Sequence, residues 1–157
     1  MPDPRDFRHA LGRFATGVVV VTAAYEGREH GMTANAFTSV SLDPPLVLVC
    51  IDNHARMSAV LEPGMEYGIS ILSLAQRGLS QCFAGRGRPP AAIEFSWKRG
   101  VPLIAEACAH FLCRLTDARV AGDHTLFIGA VEEFGSTEEA PLIFHRGGYS
   151  VLGPKLT

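Results

Sequence analysis

The stretch GMTANAFTSVSLDPPLVLVCID, residues 31–52, decides how the chain is read. Small and hydroxylated residues fill its first half. The turn formers Asp43, Pro44 and Pro45 follow, and residues 46–51 are a wholly apolar run ending at an acid. A small, hydroxylated run has too little apolar area to stabilise a core alone, yet strand-like sequence flanks it on both sides. Thr33, Asn35, Thr38, Ser39 and Ser41 place hydrogen-bond donors and acceptors close together in the chain. Ala34 and Ala36 keep the surface low enough for a flat ligand to approach the main chain. Serine and threonine also satisfy strand ends and turns, so their chemistry alone leaves both readings open. Residues 46–51 show no alternation, which predicts a strand buried on both faces.

Working outward toward the N-terminus, Phe7, Ala10, Leu11, Phe14 and Ala15 form one helical stripe over residues 5–15. Asp3 suits the cap, Pro4 the first turn and Gly17 the end of that helix, whose stripe is expected to cover a barrel or sheet. Residues 18–22 are β-branched throughout. The polar run 25–29, with its glycine, predicts a hairpin whose second strand begins near His30.

Downstream, residues 55–62 read as a short helix ended by Pro63 and Gly64, and 67–72 as a strand. Ser73 caps a helix carrying Leu74, Leu79, Cys82 and Phe83, which Gly85 can stop. Residues 86–100 lack any period and read as a loop interrupted by Phe95, Ser96 and Trp97. Strands are predicted at 109–115, 118–121, 125–134, 142–145 and 149–152. Three helices are too few for a regular βαβ series, so the architecture is an antiparallel barrel with helices packed outside.

The whole chain of 157 residues, 47% apolar, matches one domain with a sizeable core. Fourteen basic and sixteen acidic residues give a net charge of −2 and no basic field for nucleic acid. Residues 46–51 fall far short of the ~20 apolar residues that cross a membrane as a helix. Residues 1–5 lack the order of a secretory signal, so a cytoplasmic protein is expected. Cys50, Cys82, Cys108 and Cys113 lie in or beside apolar segments without metal spacing and read as reduced core thiols.

Several standard chemistries are excluded. No G-x-S-x-G elbow and no P-loop occurs. The run Gly85-Arg86-Gly87-Arg88-Pro89-Pro90 starts like a dinucleotide fingerprint, but prolines cannot open the receiving helix and the run follows a helix, not a strand. His9, His30, His54, His110, His124 and His145 show no paired metal-ligand spacing, so no metal site is expected. A ligand held by backbone amides and short hydroxyls remains.

Five segments in register carry a resemblance across nearly the whole chain. They are FRHALGRFATG at 7–17, HGMTANAFTSVS at 30–41 with the double proline, FAG at 83–85, GDHTLFIG at 122–129, and the segment from Pro141 through Tyr149. On these the chain resembles the flavin reductase family with the FMN-binding split-barrel fold, including the reductase components of two-component flavin monooxygenases. The resemblance implies a homodimer of six-stranded antiparallel Greek-key split barrels with peripheral helices. Its activity would be hydride transfer from NADH or NADPH to FMN or FAD, with reduced flavin passing to a separate oxygenase.

Carried onto this sequence, the flavin phosphate and ribityl chain would meet Met32, Thr33, Ala34 and Asn35 together with Asp52, Asn53, His54, Met57 and Ser58. The ring would lie along Ala36, Ser39, Val40 and Ser41, with Phe83 and Ala84 closing another side. His124, as the catalytic histidine, and His145, Arg146 and Tyr149 would face the nicotinamide donor. Family members commonly carry a small hydroxyl residue where His54 stands. The arginines at 86–90 would either reach a phosphate or adenylate group or be solvated. Two alternatives stay open: an electron-transfer flavoprotein of the same barrel that binds FMN tightly, and a flavin-free barrel subunit.

Overall fold

The computed structural model describes residues 1–87, 90 and 92–157. In chain order its elements are α1 (Pro4–Leu11), β1 (Thr16–Gly17), β2 (Val19–Tyr25), β3 (Arg28–Ala34), β4 (Phe37–Leu42), β5 (Pro45–Asp52), α2 (Arg56–Val60) and β6 (Glu66–Ile71). After a 3₁₀ turn at Leu74–Gln76 come α3 (Arg77–Phe83), β7 (Phe95–Lys98), β8 (Val101–Ile104), β9 (Ala109–Ala121), β10 (His124–Ser136), β11 (Ile143–His145) and β12 (Gly148–Ser150).

The main sheet runs β3-β2-β6-β9-β10-β5-β4, with every neighbour antiparallel. It curls into an open barrel whose two edge strands, β3 and β4, are consecutive in the chain. The expected split barrel is therefore present, with seven strands in its main sheet rather than six. Beside it lie a three-stranded sheet, β1-β11-β12, and the hairpin β7-β8.

Three hairpins turn on a residue and a glycine that both take positive φ: Glu26-Gly27, Arg99-Gly100 and Arg146-Gly147. Such turns match the twist of the flanking strands, and glycine meets the second position without steric cost. The β9-β10 pair is longer than the two strands expected at 109–115 and 118–121. Thr116 bulges between Leu115 and Asp117, and its hydroxyl donates to the Ile128 carbonyl at 3.0 Å. That extra residue breaks the alternation, so one strand reads as two.

The barrel interior is filled by Val19, Val21 and Ala23 of β2, Val47, Val49 and Ile51 of β5, Tyr67 and Ile69 of β6, Cys113 and Leu115 of β9, and Phe127 of β10. Burying each large side chain contributes about 1.5–3 kcal/mol. A second cluster, outside the barrel, joins Val18 and Val20 to Leu72, Ile104, Ala107 and Leu142, with Leu79 and Phe83 of α3 against it. β2 is thus covered on both faces. β5, expected to be so, is not: Val47, Val49 and Ile51 point inward while Leu46, Leu48 and Cys50 are half-buried on the outer face. Leu48 and Cys50 stand beside Ile128 and Leu126 of β10, also half-buried, so the outer wall carries a strip of apolar residues.

The leading helix also departs from expectation. Asp3 accepts from the Arg5 and Asp6 amides at 2.7 and 3.2 Å, and Gly12, not Gly17, caps the end. Its stripe does not pack on the barrel: Phe7, Leu11 and Phe14 are 55%, 59% and 78% exposed. α1 instead meets the body at its C-terminal cap, where the Arg146 amide donates to the Gly12 carbonyl at 2.9 Å.

The β7-β8 hairpin is held to the main sheet by charge. Arg99 at its tip pairs with Glu66 and Glu132, and Arg114 pairs with both carboxylates at 2.8 Å. The hydrogen bond from Arg114 holds the Glu132 carboxyl below its ordinary range. Inside the barrel the effect is opposite: burial pushes the Cys113 thiol up to about 12 and the Tyr67 phenol upward as well. The Tyr67 hydroxyl is fully buried against Gly129 and has no hydrogen-bond partner among the described residues. An unsatisfied buried hydroxyl costs about 1–3 kcal/mol. Tyr67→Phe is expected to raise the unfolding free energy by about 1 kcal/mol, read as a higher urea midpoint at unchanged slope; a lowered midpoint would show that the hydroxyl is satisfied.

Candidate active site at the barrel split

The two lips of the split are the end of β3 and the start of β4, joined by the corner Asn35-Ala36. The Phe37 amide donates to the Asn35 carbonyl at 3.0 Å and the Cys50 amide to the Ala36 carbonyl at 2.9 Å. These bonds turn the chain away before the lips can pair, leaving Asn35 and Ala36 exposed. The Asn35 side chain makes no hydrogen bond among the described residues, which leaves its amide free for a ligand.

One wall is fixed by a relay from the split to the far sheet. The Thr33 hydroxyl donates to the Ser80 carbonyl at 2.7 Å, and the Ser80 and Tyr149 hydroxyls lie 2.7 Å apart. The Arg77 guanidinium sits 5.5 Å from the centre of the Tyr149 ring, and Phe144 meets that ring edge-on at 5.8 Å. Val18, Thr33, Ala34, Asn35, Ser80, Ala84, Arg86, Phe144 and Tyr149 line a pocket of about 200 Å³. Asn35, Arg86 and Phe144 also line a larger cleft of about 810 Å³, together with Arg146 and Gly147 and, at the N-terminus, Arg5, Arg8, His9, Leu11, Gly12 and Phe14. On β3, Gly31 lets the Phe83 ring lie directly against the strand, where any side chain would collide with it.

The expected site residues fall into several groups. Thr33, Ala34, Asn35, Ala84 and Tyr149 share the small pocket, and Arg146 lines the cleft. Met32 and Met57 line a recess of about 150 Å³ with His30, Gly31, Ala55 and Arg56, although Met57 is also part of the barrel core. Ser58 is half-buried on α2, its amide bonded to the Ala55 carbonyl. Ser39 and Val40 are exposed on the edge strand β4 and Ser41 is half-buried; Val40 is the extra residue of a bulge between Ser39 and Ser41. His145 is half-buried on β11, opposite Gly148.

Asp52, Asn53, His54 and His124 gather around the β9-β10 turn. Asn53 donates to the Gly122 carbonyl at 3.1 Å and accepts from the Thr125 hydroxyl at 2.7 Å, while Asp52 accepts from the His54 amide at 2.7 Å. His124 Nδ1 lies 2.7 Å from an Asp123 carboxylate oxygen, and that bond holds the Asp123 carboxyl below its ordinary range. Within one chain His124 stands opposite Asp52 on β5 and is not among the residues lining the Tyr149 pocket.

Val18, Arg77, Ser80 and Phe144 were not anticipated. Ser80 carried a signal: a polar residue on the helix face that also bears Phe83 and Ala84, and it is fully buried. Among the described residues no group of three His, Cys, Asp or Glu side chains is placed to hold a metal. All four cysteines are free.

The open antiparallel barrel is the fold of solved flavin reductases. A sequence model of the flavin reductase like domain matches residues 11–153. An NADH-dependent flavin reductase of a Rhodococcus species is 48% identical over 152 residues, covering 95% of this chain and 86% of that protein. The reductase component of a 4-hydroxyphenylacetate 3-monooxygenase from Thermus thermophilus is 40% identical over 147 residues, covering 93% and 95%. Among solved structures, the flavin reductase PheA2 superimposes with a TM-score of 0.93 at 46% identity, covering 98% of this chain and 100% of that one. The chain belongs to the flavin reductase family.

Proposed function

We propose that this chain oxidises NADH with FMN or FAD as acceptor and supplies reduced flavin to a separate oxygenase, working as a homodimer. The observation that carries the reading is the pocket at the split, where Thr33, Ala34 and Asn35 face Tyr149 in a chain of this family. The named activity of the Rhodococcus relative supports NADH as donor, and the Thermus relative, a reductase component by name, supports the separate oxygenase.

The residues present fit a flavin. Ala34 and Ala36 leave the main chain accessible, Asn35 has its amide unengaged, and the Thr33 and Tyr149 hydroxyls are fixed through Ser80. Thr33, Ala34, Asn35 and Ala36 would hold the ring and its side chain with Ser39, Val40 and Ser41 along the lip and Ala84 opposite, while Phe83 supports the back of β3. Met32 with Asp52, Asn53, His54, Met57 and Ser58 would take the phosphate end. Bound flavin supplies the hydride-accepting chemistry. The chain's own work is to hold two planar rings together, keep water away from the contact and stabilise the charge that develops, using backbone N–H groups that need no reorganisation. Positioned dipoles suffice, which is why no nucleophile or acid–base triad is needed. His124, oriented by Asp123, and His145, Arg146 and Tyr149 would bind the donor.

Two features support the dimer. The stripe Phe7, Leu11 and Phe14 and the outer strip Leu48, Cys50, Leu126 and Ile128 leave apolar surface uncovered in one copy.

Mixing the purified protein with NADH or NADPH and each flavin, while following the nicotinamide absorbance, is expected to show NADH oxidation only when flavin is added. No oxidation in any combination would overturn the reading. Sedimentation equilibrium is expected to give twice the chain mass, with Phe7→Asp/Leu11→Asp shifting it to one; a wild-type monomer would remove the dimer.

A further inference from the structure

One residue of α3 bonds to both sides of the ring pocket. Gly31 and Thr33 are two apart on β3 and so share a face of the strand. Gly31 receives the Phe83 ring, and the Thr33 hydroxyl donates to the Ser80 carbonyl, one helical turn before Phe83, at 2.7 Å. These two contacts key α3 to the β3 lip. On the other side the Ser80 hydroxyl lies 2.7 Å from the Tyr149 hydroxyl of β12. β3 and β12 belong to different sheets, and Ser80 links them through its main chain and its side chain.

Ser80 is fully buried, and among the described residues the Tyr149 hydroxyl is the one hydrogen-bond partner of its side chain. A serine inside a helix ordinarily turns to solvent or back to the carbonyl four residues before it. This one does neither, and a buried hydroxyl is costly to leave unbonded. The Tyr149 ring is held in two further ways, by the Arg77 guanidinium 5.5 Å from its centre and by the Phe144 ring edge-on at 5.8 Å. Contacts with a ring's face and edge set its tilt but tolerate sliding. The hydrogen bond at the tip of the phenol is directional and fixes where the ring stands.

We propose that Ser80 is a positioning residue for hydride transfer, whose hydroxyl holds the Tyr149 phenol at a fixed distance from the β3 lip to which its carbonyl is bonded. The inference rests on the flavin reductase reading, in which Thr33 belongs to the bed of the flavin and Tyr149 to the donor side. Hydride transfer needs reacting atoms about 3–3.5 Å apart, and a misplacement on the order of 1 Å can cost about a hundredfold in rate. A wall bonded to the bed it faces keeps that spacing while ligands exchange. Ser80 takes no part in the bond changes themselves; it acts through Tyr149. Alanine at position 80 separates its two arms, because the carbonyl that Thr33 uses stays and only the hydroxyl that Tyr149 uses is lost.

The test compares wild type with Ser80→Ala, Tyr149→Phe and the double variant by two measurements. In flavin-free protein, urea unfolding is expected to give a midpoint shift in the double variant smaller than the sum of the single shifts, because both changes remove the same bond. In anaerobic stopped-flow with FMN bound and NADH saturating, the rate constant for flavin bleaching is expected to fall about tenfold in each single variant and no further in the double. The FMN Kd is expected to change by less than about twofold, since the Thr33 arm is intact. That rate constant is read per bound flavin, so misfolded protein lowers the amplitude and leaves the rate constant alone. A lower amplitude at an unchanged rate constant overturns the proposal, and so do midpoint shifts that simply add. A wild type that bleaches no flavin with NADH overturns the reductase reading and the proposal together, whereas bleaching at the wild-type rate in Ser80→Ala overturns the proposal alone.

Discussion

The rest of the structure depends on two edge strands that are adjacent in the chain and do not pair. β3 and β4 are separated by only Asn35 and Ala36, and a hairpin there would have closed the barrel. Instead the corner spends its backbone hydrogen bonds on Phe37 and Cys50, and the sheet must run the long way round through five other strands before it returns to β4. An unpaired sheet edge is an aggregation hazard unless it is covered or used. Here α3 packs beside β3, and the β1-β11-β12 sheet brings Phe144 and Tyr149 to face it. The gap so created is walled by small residues on one side and aromatic rings on the other, the shape that a planar ligand fills.

That geometry also sorts the protein's chemistry by depth. In the barrel interior, burial drives the Cys113 thiol and the Tyr67 phenol toward their neutral forms. Cys50 and Cys108 are pushed the same way, chiefly by burial. Thiols held protonated are poor nucleophiles and poor metal ligands, so the core offers little chemistry to compete with a bound redox ring. The charged and hydrogen-bonding groups are instead at the rim: the Asp123–His124 pair at the β9-β10 turn, the Thr33–Ser80–Tyr149 relay, and the arginines of the cleft.

Much of this was legible in residues 31–52, because a small-hydroxyl run between strands has few structural uses and the segments in register around it are specific. The hairpin at Glu26-Gly27, the capped turn at Ser73 and the strand at β6 follow from local chemistry alone. The Arg99-Gly100 hairpin was missed and read as loop, since arginine is an unusual first residue for such a turn and β8 contains Pro102. The single-sided burial of β5 was hidden because its outer residues Leu46, Leu48 and Cys50 are also apolar, so the sequence does not alternate where the structure does. The α1 stripe was assigned to the barrel for the same kind of reason: amphipathicity shows that a face is to be covered, not by what. The cationic lining of the larger cleft was hidden because Arg86 and Arg146 join Arg5 and Arg8 only through the fold.

The most direct test of the central claim is the crystal structure of the protein with FMN. The flavin ring is expected against Thr33, Ala34, Asn35 and Ala36, with Tyr149 of one copy or its partner within contact of the bound ligands. A ring bound elsewhere, with the corner at Asn35 and Ala36 filled by the protein's own side chains, would contradict the account.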